Sequence, residues 1–85
     1  MTKYCYIVLK SSTIARRAEI LLTRHSFDAS VARLPMSLSA VGCGYAVKLQ
    51  ADILRQAVDL LLANSFFPTK IYCRESGNAY YEVEM

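Results

Sequence analysis

The chain has 85 residues, 54% of them hydrophobic and 20% charged. That is enough apolar material for one compact core, a single domain over residues 1–85, and too much for a disordered chain. The net charge of +3 falls short of the basic footprint of a dedicated nucleic-acid binder, and no apolar stretch approaches the ~20 residues that span a bilayer.

The N-terminal "KYCYIVL" (3–9) alternates Cys5, Ile7 and Leu9 with Tyr4, Tyr6 and Val8, which predicts a strand. It lacks the apolar region and cleavage site of a secretory leader, so a cytoplasmic protein is expected. "KSST" follows, and Ser12 or Thr13 is a natural N-cap for a helix over about 13–25. Ile14, Ala18, Leu21, Leu22 and His25 form its apolar stripe, while Thr13, Arg16, Arg17 and Arg24 face outward. "ASVARL" (29–34) reads as a second strand, stopped by Pro35. A loop from Pro35 to Gly44 leads to a third strand, "YAVKL" (45–49). Asp52 then caps a helix to about Asn64, with Leu54, Ala57, Val58, Leu61 and Leu62 inward and Phe66 and Phe67 closing the core behind it. "KIYCR" (70–74) is a fourth strand, "ESGN" a turn, and "AYYEVE" (79–84) a fifth strand at an edge.

The order βαββαβ with right-handed crossovers predicts an α+β, ferredoxin-like two-layer sandwich, with an antiparallel sheet, both helices on one face and an extra C-terminal edge strand. In that topology the loop between strands 2 and 3 lies where strand 1 feeds helix 1. The loop contains "GCG" (42–44), which places Cys43 beside Lys10, Ser11, Ser12 and Thr13. A helix N-terminus and a nearby cation favour the reactive thiolate. Gly42 and Gly44 remove bulk around the sulfur and allow positive φ, so that backbone N–H groups can face an anion. A glycine-rich turn with an incidental cysteine fits the same pattern.

The segments "KSSTIARRAEILL" (10–22) and "RLPMSLSAVGCGYAVKL" (33–49), within residues 3–74, resemble the selenium/sulfur carrier protein-like family of small bacterial domains. The resemblance implies that Cys43 is a carrier thiol with Gly44 as its companion, receiving and passing a persulfide or perselenide. Its partners would be a sulfur or selenium donor, such as a cysteine desulfurase or a small sulfur-carrier protein. Here Ala40 and Val41 intervene after Ser39, where the family clusters serines close before the cysteine, and the "AYYEVE" tail extends past the usual pattern. This chemistry asks for no metal and no cofactor, and makes the chain an accessory of transfer more than a turnover enzyme.

The remaining features have simpler accounts. Three cysteines at wide spacing are a poor disulfide framework. Cys5 and Cys73 fall on neighbouring strands and are expected as reduced core residues. His25 lies at the far end of helix 1, so a Cys–His pair is not expected. Six tyrosines are many. Tyr4, Tyr6 and Tyr72 would share the open sheet face, with Tyr45 pointing into the core. An RNA-recognition motif stacks bases on such a face, but its signatures are incomplete here, and nucleic acid is disfavoured. An interaction surface, with the chain forming a homodimer, explains the tyrosines better.

Overall fold

The computed structural model describes residues 3–34, 45–76 and 79–83. The order is β1 (Tyr4–Val8), α1 (Ser12–Arg24), β2 (Ala29–Arg33), β3 (Tyr45–Gln50), a 3-10 turn (Ala51–Ile53), α2 (Leu54–Ala63), β4 (Lys70–Ser76) and β5 (Ala79–Glu82). One sheet holds the strands in the order β2-β3-β1-β4-β5, and every neighbouring pair is antiparallel. Both helices pack on one face, where Ala15, Ala18, Leu22, Leu54, Ala57, Val58 and Leu61 meet Cys5, Ile7, Leu9, Val47, Leu49 and Ile71 in one core. This is the ferredoxin-like two-layer sandwich, with β5 added beside β4.

Alternation in β1 sends Cys5, Ile7 and Leu9 toward the helices, all at 0% exposure. Tyr6 and Val8 point to the other face and are buried there with Leu34 and Ala46. In α1 the cap is Ser11, one residue before the expected Ser12 or Thr13. Its backbone is extended, and its Oγ accepts the Ile14 N–H at 3.2 Å. Any of three consecutive hydroxyl residues could cap. Starting at Ser11 puts Ala15, Ala18 and Leu22 on the buried side, while His25 is exposed as the C-cap and leaves the expected stripe.

Both helices end in the same way. Ser26 and Ser65 take positive φ, 67° and 66°. Phe27 N–H then reaches back to the Leu22 carbonyl, and Phe66 N–H to the Leu61 carbonyl. These are Schellman closures, each with a Phe after the left-handed residue that packs against the core. Asp52 does not cap α2. It lies in the 3-10 turn, and α2 follows Ile53 without a side-chain cap. The turn is held by Ala51 N–H donating to the Lys3 carbonyl at 2.8 Å.

Cys5 and Cys73 are not free core thiols. They face each other in the β1–β4 register, with Cα atoms 4.0 Å apart, and form a disulfide. Among the described residues no helix is long and apolar enough to cross a membrane.

The bridge links residues 68 apart in sequence, a separation for which loop-closure entropy gives about 4 kcal/mol. The Cys5→Ala/Cys73→Ala double variant is therefore expected to lose about that much in urea unfolding. Ser11→Ala, which removes the cap acceptor, is expected to cost about 1 kcal/mol.

Candidate functional site

Three connections meet at one end of the sheet. β1 and β2 both run antiparallel to β3 and therefore point the same way. Ala46 is opposite both Val8 and Ala32, Tyr45 is opposite Arg33, and Thr69 N–H donates to the Val8 carbonyl at 2.7 Å. The β1–α1, β2–β3 and α2–β4 connections thus share this end. Leu34 and Tyr45, which flank segment 35–44, stand at this same end of the sheet, with Leu34 on the face away from the helices. Cys43, Gly42 and Gly44 themselves lie outside the described residues.

Of the residues expected to support the thiolate, Ser11 spends its hydroxyl on capping α1. Lys10, Ser12 and Thr13 are exposed, and the first turn of α1 carries no acidic residue. The positive end of the helix is therefore not neutralised from within its own first turn. Beside it lies a recess of about 400 Å³ with Lys10 and Arg17 on its wall and Ile14, Phe66 and Phe67 in its lining. Glu19 holds Arg16 at 3.5 Å. Lys10 and Arg17 have no acidic partner among the described residues. The sequence reading missed Arg17 as part of this end, although it lies three residues after Ile14 and so on the same side of α1. Phe66 packs against the core as expected. Phe67 does not close it, being 66% exposed, because the Schellman turn directs Phe66 inward and leaves its neighbour outside. His25 sits at the opposite end of α1 from Ser11, with its Nδ1 3.0 Å from the Leu21 carbonyl.

The tyrosines divide by face. Tyr4, Tyr6, Tyr72 and Tyr80 lie on the side away from the helices. Lys48 Nζ covers the Tyr4 ring at 4.5 Å. The Tyr6 and Tyr80 rings meet edge to face at 5.9 Å, and Tyr6 is only 9% exposed. Two of the rings that would have to stack on bases are thus already engaged. Tyr45 shares the helix-side face of Val47 and Leu49, but at the end of its strand it is 40% exposed and does not enter the core. Among the described residues no cluster of three His, Cys, Asp or Glu could hold a metal ion.

A protein-family model described as "Putative Se/S carrier protein-like" matches residues 4–73, most of the chain, and the chain belongs to that family. No curated protein and no solved structure matches it. The matched segment runs from the start of β1 to Cys73 in β4, so β5 lies beyond it.

Burial raises the Tyr6 phenol above its ordinary value of 10.0, and the charge and hydrogen bonding of Tyr80 add to this, while Arg74 opposes it. A raised acid keeps its proton in the folded state after the unfolded state has lost it, so stability falls as pH rises past about 10. Tyr6→Phe is expected to flatten that alkaline loss, read as the urea midpoint against pH.

Proposed function

We propose that this member of the Se/S carrier protein-like family carries sulfur or selenium on Cys43. The observation that supports the reading best is the state of the other two cysteines. Cys5 and Cys73 are bonded to each other and are 0% and 2% exposed. The sequence holds three cysteines, which leaves Cys43 for thiol chemistry. Two further facts agree with it. The described flanks of segment 35–44 stand at the end of the sheet where α1 starts, and Lys10 and Arg17 lend that end positive charge, which favours a thiolate or persulfide anion nearby.

The step is a sulfane transfer with no net oxidation. The Cys43 thiolate attacks the outer sulfur of a donor persulfide. A new S–S bond forms on Cys43, the donor's own S–S bond breaks, and the donor thiolate leaves with the bonding pair. A perselenide donor transfers selenium in the same way. Passing the atom on repeats the step with the acceptor thiolate as nucleophile. A pre-formed thiolate needs no general base. The RNA-binding alternative is weaker, because Lys48 covers Tyr4 and Tyr6 is packed against Tyr80.

The test is intact-protein mass spectrometry after incubation with a cysteine desulfurase and cysteine. The parent chain is expected to gain one sulfur, and Cys43→Ser none. Equal gain in the variant, or no gain in a parent whose Cys43 reacts with a thiol reagent, overturns the carrier reading.

A further inference from the structure

The two edges of the sheet are treated differently. At the β2 edge, Glu19 reaches from α1, and its Oε2 accepts the outward Val31 N–H at 2.9 Å. A side chain thus closes that edge against another strand. At the β5 edge no described residue does the same. Val83 N–H donates inward to the Ile71 carbonyl at 2.7 Å. Alternation then turns the N–H and C=O of Tyr80 and Glu82 outward. The strand is short, has no proline, and its one charge, Glu82, is already held by Lys70 at 3.2 Å. On the helix side, a groove of about 440 Å³ runs between α2 and β5, past Val58, Ile71 and Val83. Two of the large apolar side chains most open to solvent line it, Leu62 at 43% and Phe67 at 66%, and Tyr81, opposite Cys73 on the same helix-side face, is 41% exposed.

We propose that the chain forms a two-fold dimer through the outer edge of β5, with Tyr81 of each copy facing its counterpart across the axis. The occupant is a second copy because the edge is complementary to itself. Two identical strands that pair antiparallel are related by an axis perpendicular to the sheet, so opposed residues must share a face. Centring on Tyr81 puts Tyr80 of each copy opposite Glu82 of the other. Those are the residues whose backbone groups point outward, and both pairs can exchange their two hydrogen bonds. Centring on Tyr80 would use only one such pair from Ala79–Glu82. In the Tyr81 register the two Glu82 carboxylates lie on opposite sides of the axis, and no like charges are opposed. The tyrosines at the axis form a cross-strand aromatic pair that covers apolar surface left open in the single chain. The two five-stranded sheets become one continuous sheet. The two Lys10–Thr13 ends point away from each other, so each stays accessible. The dimer does not depend on the carrier reading.

The test is sedimentation velocity on the full chain, with folding checked by circular dichroism. The parent is expected to sediment as a dimer. Tyr81→Glu and Tyr81→Lys are each expected to be folded monomers, because like charges meet at the axis. Their equimolar mixture is expected to regain the dimer, because opposite charges then meet there. Tyr80→Pro removes an outward N–H without touching the β4 ladder and is also expected to be monomeric. A parent that is monomeric at about 1 mM, charged variants that remain dimeric, or folded monomeric variants whose mixture stays monomeric would each overturn the proposal.

Discussion

The structure depends on β1 being buried on both faces. Cys5, Ile7 and Leu9 meet the helices, Tyr6 and Val8 fill the opposite side, and all five are at most 9% exposed. Each large apolar side chain buried this way contributes roughly 1.5–3 kcal/mol, and β1 places several in a row. A strand with no solvent face must sit in the interior of the sheet, which accounts for β3 on one flank and β4 on the other. The disulfide then joins β1 to β4 at a directly opposed pair, so a covalent link reinforces the pairing that burial already requires. With β1 central, its end at Val8 fixes where α1 begins. That in turn fixes which end of the sheet gathers Lys10, Arg17 and the flanks of segment 35–44.

Much of this was legible from short-range pattern. The two faces of β1, the buried positions of α2 up to Leu61, and the neighbourhood of strands 1 and 4 all follow from period 2, period 3.6 and right-handed crossovers. What was not legible depends on distances the sequence does not state. Cys5 and Cys73 are 68 residues apart, and only the final register sets them face to face. A one-residue slip would have turned one of them to the other side of the sheet. The three hydroxyls of "SST" cannot be ranked as caps by propensity, because each is a good one. Asp52 carried the right chemistry for a cap, but a 3-10 turn tied to Lys3 delayed α2 past it. Phe67 was read with Phe66 as one unit, although the turn between α2 and β4 separates their fates.

One local signal did go unread. "HSF" at 25–27 and "NSF" at 64–66 close α1 and α2 with the same geometry, a left-handed serine followed by a phenylalanine that packs back. Non-glycine residues seldom take that conformation, and a serine there costs on the order of 1 kcal/mol. Each phenylalanine offsets the cost by burying part of its ring in the core. The repeat has a consequence at the end where Lys10 and Arg17 stand. The second closure leaves Phe67 on the surface between the Lys10–Arg17 recess and the α2–β5 groove, so one turn shapes both.

The cysteines also bear on the carrier proposal. A sulfane donor reacts with any thiolate it can reach, so a chain with three equivalent thiols would scatter its cargo. Here two barriers remove Cys5 and Cys73 from that competition. Burial denies a donor protein access to either sulfur, and the bond between them removes both nucleophiles. Either barrier would serve alone. Together they let the disulfide stabilise the central strands without exposing a reactive sulfur of its own. The same economy appears at the sheet edges, where Glu19 serves α1 through Arg16 and β2 through Val31 N–H. β5 lies beyond the residues matched to the family, yet it covers the side of β4 that would otherwise be exposed. It moves the open edge outward, away from the disulfide and from the end where Lys10 and Arg17 stand, so that contact with another molecule at that edge leaves both undisturbed.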